Sequence, residues 1–179
     1  DLHSFPTRRS SDLGVFDPGI FSIGDTLTTS KEKFAYEGIP TFAPEHFARV
    51  RQVDTMKRKQ FVKGINQIAQ EGAIQIFQEY NTGMEEIIVG VVGVLQFDVL
   101  KYRLNNEYNV EIRLENLPYE YIRWIENEDV DMDHLSGTSD MKKIKDLKDR
   151  PLLLFAHEWS IRMTEERNKG LILSEFGRS

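Results

Sequence analysis

Gly90–Val110 reads G-V-V-G-V-L-Q-F-D-V-L-K-Y-R-L-N-N-E-Y-N-V. It opens at the end of an apolar stretch, Glu86–Val92, whose Ile and Val content suits a central buried strand. From Gly93 to Glu107 the apolar residues recur at helical spacing. Leu95, Val99 and Tyr102 stand one turn apart, with Phe97, Leu100 and Leu104 beside them. Tyr108–Leu114 then alternates, sending Val110, Ile112 and Leu114 to one face of a new strand. Gly90-Val91-Val92-Gly93 lies between strand and helix, where a phosphate loop would lie. It lacks the lysine and the Ser/Thr that such a loop needs. It therefore reads as a glycine hinge that lets a central strand turn into a closely packed helix.

The same reading extends outward. Pro40 and Pro44 punctuate a boundary, and Phe42–Val53 reads as extended. Asp54 is placed to cap a helix that carries Met56, Phe61, Val62, Ile65, Ile68 and Ala69 at helical spacing as far as Gly72. Ala73–Gln78 is strand-like, and Tyr80-Asn81-Thr82-Gly83 makes a turn. The order over Phe42–Leu114 is β-α-β-β-α-β, a ferredoxin-like α+β arrangement. Such a sheet carries its helices on one face, and its other face is expected to be free for a partner. A second, smaller α/β unit should follow, packed on the first or continuous with it. Its pieces are a strand at Tyr119–Ile125, an acidic loop at Glu126–Asp140, a polar helix at Met141–Lys148, a strand at Leu152–Ala156, a helix at Trp159–Asn168 and a last strand at Leu171–Phe176.

The 179 residues carry a net charge of −6, so the chain as a whole is not a general binder of polyanions. It has no cysteine, which removes disulfides, thiolate chemistry and zinc sites built on cysteine. Its longest apolar run, Ile87–Leu95, is far below the roughly 20 residues needed to span a bilayer. No secretory signal is evident, which makes the cytoplasm the default compartment, with no membrane partner.

Chemical motifs are mostly missing. Asp129, Asp131 and Asp133 have the spacing of the first ligands of a calcium loop. His134 stands where that loop needs glycine, however, and Asp140 where it needs glutamate. The segment reads as a solvated acidic loop. His3, His46, His134 and His157 show no metal-ligand spacing. His157-Glu158 near Ser160 suggests a hydrolase only superficially, because no nucleophile elbow accompanies them. No catalytic, cofactor-binding or metal-binding residue is assigned. The positive signal is a basic cluster: Arg49, Arg51, Lys57, Arg58, Lys59 and Lys63, against only Glu45 and Asp54 between Glu45 and Lys63. These cations could meet RNA phosphates without reading sequence, or simply be a solvated helix face.

Gly14–Pro40 is turn-rich and strand-like, with Asp17-Pro18-Gly19 and Gly24-Asp25 as turns. It suits the end of a small β-barrel. Residues 1–13 differ in character: His3–Leu13, H-S-F-P-T-R-R-S-S-D-L, looks like the translation of a sequencing adapter and is set aside as an artefact, disordered, without functional meaning for Arg8 or Arg9.

Five stretches together resemble the release factor 3 family of bacterial translational GTPases. They are I-G-D-T-L at Ile23, G-I-P-T-F-A-P-E at Gly38, E-G-A-I-Q-I-F at Glu71, V-G-V-L-Q-F-D-V-L at Val92 and E-Y-N-V at Glu107. The resemblance implies that residues 14–41 end a β-barrel second domain and that 42–179 form the family's C-terminal third domain. It implies a missing N-terminal GTPase domain that would bind GTP and Mg, and no cofactor in the present chain. It also implies a ribosomal partner, small-subunit RNA and protein, with class I release factors engaged indirectly and the chain's own GTPase domain as a neighbour. Arg49, Arg51, Lys57, Arg58, Lys59 and Lys63 are then the candidate ribosome contacts. The alternative is a free-standing ferredoxin-like module that binds a small ligand or oligomerises through its sheet.

Overall fold

The computed structural model describes residues 43–81 and 86–176. The expected adapter segment 1–13 and barrel segment 14–41 lie outside them. The chain first forms β1 (His46–Gln52), a 3-10 turn (Thr55–Lys57), α1 (Arg58–Gln70), β2 (Gln75–Glu79), β3 (Ile87–Val91), α2 (Leu95–Tyr108) and β4 (Ile112–Leu117). These strands lie in the order β4-β1-β3-β2, every neighbour antiparallel. This is the expected ferredoxin-like βαββαβ arrangement.

The helix-side core follows from strand alternation. Ala48, Val50, Ile76, Ile87, Val89, Val91 and Ile112 face α1 and α2, where they meet Phe61, Ile65, Ile68, Phe97, Leu100 and Leu104. The two helices approach closely at Gly64: a Cβ there would stand 2.8 Å from Leu104 Cδ2 and 2.8 Å from the Tyr108 ring. α2 ends at Asn109, whose left-handed φ of 55° lets the Val110 N–H reach back to the Leu104 carbonyl. Phe97, Leu100 and Leu104 form the buried side of α2, while Leu95, Val99 and Tyr102 are exposed.

The hinge expected at Gly90–Gly93 is built differently. Gly90 lies inside β3, and its role is close packing: a Cβ there would stand 2.8 Å from Pro44 Cβ and 3.0 Å from Phe77. Gly93 has open space around it. The turn into α2 is instead held by a side chain, since Gln96 Oε1 accepts from the Val92 N–H at 2.9 Å and the Gly93 N–H at 3.0 Å.

The second half continues the same sheet. β5 (Tyr121–Ile125), β6 (Lys142–Asp146), β7 (Pro151–Phe155), α3 (Glu158–Arg167) and β8 (Leu173–Ser174) extend it to eight strands, in the order β4-β1-β3-β2-β6-β7-β5-β8. The predicted polar helix at Met141–Lys148 is β6. Its single strongly apolar residue, Ile144, is fully buried, and β6 pairs with both β2 and β7. Those two ladders override the helix preference of its lysines. The β6–β7 hairpin is closed by Asp146, whose Oδ1 accepts from the Lys148 and Arg150 N–H groups, both at 2.9 Å.

The face expected to be free is filled. Phe47, Phe77 and Ile88 point away from α1 and α2, yet they are buried against Ile122, Trp124, Ile144, Leu152 and Leu154. In strand order β1 and β7 are separated by three strands. Their side chains can share one core only if the sheet folds back over its own helix-free face. The opposite face of the second half packs Leu153, Phe155 and Ile125 under α3, through Ile161, with Met132 from the long loop. The result is four layers: helices, sheet, folded-over sheet, helix.

Candidate nucleic-acid interface

The six basic residues of the cluster fall into two settings. Arg49 lies on the filled face of β1, with a side chain 17% exposed. It meets Glu79 at 3.0 Å, Glu86 at 3.3 Å and Glu115 at 3.2 Å, carboxylates contributed by β2, the residue just before β3, and β4. The strand register explains this, because Arg49 stands opposite Glu115 on β4 and Ile88 on β3. The hydrogen bond to Glu79 is the main cause of the raised Arg49 pKa, with burial opposing it. Burial pushes the Glu79 carboxyl up, but hydrogen bonds from Lys142 and Arg49 outweigh it and hold the group below the usual carboxylate range. Arg51 is more exposed and meets Glu86 at 3.0 Å.

The other four cations follow the β1 strand end. Asp54 Oδ1 accepts from the Met56 N–H at 2.9 Å, which fixes the 3-10 turn. Lys57 ends that turn, Arg58 and Lys59 open α1, and Lys63 lies one helical turn beyond Lys59. The first turn of α1 contains no acidic residue. A helix N-terminus carries about half a positive charge, so cations there are at the unfavourable end of the dipole. Their charges and the helix end add up to a positive potential at this end of α1. Sequence reasoning missed Arg113, an exposed residue directly opposite Arg51 on β4. Only the β1–β4 register brings these two cations together, at the same sheet end as the α1 start.

The other motifs take structural roles. The amides of Val92 and Gly93 already donate to Gln96, so this turn does not present the free N–H groups that a phosphate requires. GTP and Mg do not fit it. Ser160 is fully buried and donates to Asp140 at 2.7 Å, while the His157 ring stacks on Trp159 with centroids 6.2 Å apart. Burial raises the Asp140 pKa, but the neighbouring Thr138 side chain and hydrogen bonds from Ser160 and the Ala156 N–H outweigh it, and the carboxyl ends lower than usual. The group ties the long loop to the start of α3. Asp131 accepts from the Asp133 N–H and from His134. Among the described residues, no three His, Asp or Glu side chains are gathered to hold a metal ion. No helix among them is long and apolar enough to cross a membrane.

Comparison with known proteins places this geometry in a family. Residues 36–165 match the family model described as class II release factor RF3, C-terminal domain. The chain belongs to the release factor 3 family. A peptide chain release factor 3 from Symbiobacterium thermophilum is 51% identical to it over 160 residues, 89% of this chain. One from Streptococcus pyogenes is 41% identical over 163 residues, 91% of this chain. The chain spans 30% and 31% of the length of these two relatives. The family match runs from before β1 into α3, so it covers the ferredoxin-like half and most of the folded-over half.

Proposed function

We propose that this chain is the ribosome-engaging C-terminal part of a translation termination factor. In the longer relatives, the remaining length would supply a GTPase domain that binds GTP and Mg. That domain would drive departure of class I release factors from the ribosome in the cytoplasm. The part of the work done by this chain is docking. The observation that carries the reading is the start of α1, where Lys57, Arg58 and Lys59 are consecutive at the positive end of a helix whose first turn has no acid. Lys63 extends the surface along α1, and the Arg51–Arg113 pair stands at the same sheet end on the helix-free face. Arg49 contributes indirectly, by holding β1, β2 and β4 together beneath it.

RNA is the partner that this surface suits. Its phosphates neutralise clustered cations and release counterions, which makes binding strong at low salt and steeply salt-dependent. A free-standing module that oligomerises through an open sheet face fits less well, since that face is filled by β5, β6 and β7. Changing Lys57, Lys59 and Lys63 together to glutamate should lower affinity for purified small ribosomal subunits by at least tenfold. The slope of log affinity against log salt should become shallower by about 0.7–0.9 for each phosphate that is no longer neutralised. Equal affinity and equal slope for the two proteins, measured by sedimentation over a salt series, would contradict this placement.

A further inference from the structure

Met56 is 91% exposed, the most exposed of the large apolar residues described. It does not lie on a loose loop. Its own N–H is bonded to Asp54 Oδ1 at 2.9 Å, and the Lys57 N–H reaches the Asp54 carbonyl at 3.3 Å. Just before this turn, the Val53 N–H is bonded to the Glu111 carbonyl at 3.0 Å, which ties the turn to the chain entering β4. Val53 is itself 44% exposed. The fold therefore holds two apolar side chains in water, on a pinned turn, directly beside Lys57, Arg58 and Lys59.

Burying a methionine side chain is among the larger single gains available to a protein, and here the fold makes no use of it. Methionine is enriched at the centres of interfaces, where a polar rim excludes water around an apolar anchor. Its flexible, polarisable thioether packs well on irregular surfaces and on aromatic rings. Exposed single apolar residues are ordinary in themselves. The pinned turn and the three cations that follow Met56 in the chain distinguish this one. The cations select an anionic partner, and an apolar tip among them has value only if that partner also offers an apolar surface. Unstacked bases of RNA loops offer both together, whereas paired A-form RNA presents phosphates and hydroxyls with its bases stacked away.

We propose that Met56 is the apolar anchor of the basic surface and packs against an unstacked base in a looped or single-stranded RNA segment, with Val53 at its side. This rests on the reading of that surface as an RNA contact, and deepens it by naming the class of RNA and the residue that recognises it.

The test uses the whole chain and its Met56→Gln variant, with two fluorescent RNAs of equal length as probes: a hairpin with an eight-nucleotide loop and a fully paired duplex. Purified small ribosomal subunits serve as the third ligand. The wild-type chain should prefer the hairpin. Met56→Gln should lose on the order of tenfold in hairpin affinity, the equivalent of burying part of one such side chain. It should lose little on the duplex, with the salt slope unchanged on both. Thermal melting should stay the same, as expected for so exposed a position. Weaker binding to ribosomal subunits with unchanged hairpin binding would assign Met56 to a protein partner and overturn the proposal. An equal drop on hairpin and duplex would also overturn it, because no base would then be read. If Met56→Gln binds like wild type while the triple glutamate variant does not, Met56 is idle and the proposal fails, though the basic surface still stands. If the triple variant also binds like wild type, the RNA reading itself fails.

Discussion

Replacing Phe77 with alanine is expected to destabilise the chain by about 3–5 kcal/mol, the usual range for removing a large buried aromatic side chain. Phe77 is 1% exposed and lies on β2, at the join between the two halves of the sheet. Its ring is 6.4 Å from that of Phe47, it covers the bare backbone of Gly90, and it belongs to the core shared with Ile122, Ile144, Leu152 and Leu154. The measurement is urea unfolding followed by far-ultraviolet circular dichroism, with a melting temperature about 2–4 °C lower per kcal/mol for a chain of this size. Leu95→Ala, at a residue 74% exposed on α2, is the control and should stay within about 0.5 kcal/mol of wild type. A cost below about 1 kcal/mol for Phe77→Ala would mean that the sheet does not fold over a packed core.

Arg49→Met is expected to cost about 2–3 kcal/mol at pH 7. That is less than the roughly 3–5 kcal/mol seen for fully buried pairs, because the network is partly open to water. The substitution keeps the apolar length of the side chain and removes the charge. Glu79, Glu86 and Glu115 then lose the cation they share, while the Lys142 contact to Glu79 remains. The pH dependence identifies the cause. In the wild-type protein the folded Glu79 has a lowered pKa. Its contribution to stability is therefore present above the unfolded value, about 4.3, and is lost as pH falls through the lower folded value. The deficit of Arg49→Met should be greatest at about pH 6–7 and shrink below about pH 4, as the carboxylates take up protons in both proteins. Urea midpoints compared at pH 7 and pH 4 report this directly. A deficit that does not change with pH would trace the effect to packing instead of charge.

The sequence carries the first half of this fold openly because its signals are local. Strict alternation at Val110, Ile112 and Leu114, and the helical spacing of Phe97, Leu100 and Leu104, each depend on neighbours a few residues away. The second half depends on partners far along the chain. β6 reads as a polar helix because four of its five residues are charged, and only its place between β2 and β7 makes it a strand. β7 is apolar on both faces, Leu152 and Leu154 on one and Leu153 and Phe155 on the other. That pattern shows it is buried twice without showing what covers it. The candidate interface is legible in its composition but not in its geometry. Arg49 and Arg51 look equivalent in sequence, yet the β1–β4 register gives Arg49 a carboxylate opposite and gives Arg51 a second arginine, Arg113. Gln96 carries no sequence signal for capping the amides before it, and nothing around Met56 announces that Asp54 pins its turn.

The two ends of the ferredoxin-like sheet allow a direct test of the central claim. Gln60 is exposed near the start of α1, beside the cations, and Leu95 is exposed at the start of α2. α1 follows β1 and α2 follows β3, and these strands are antiparallel, so the two positions lie at opposite ends. A photo-crosslinking residue placed at each position in turn, with the chain bound to purified small ribosomal subunits, reports which end meets RNA. Ribosomal RNA adducts are expected from position 60 and none from position 95. RNA adducts from position 95 with none from position 60 would contradict the central claim.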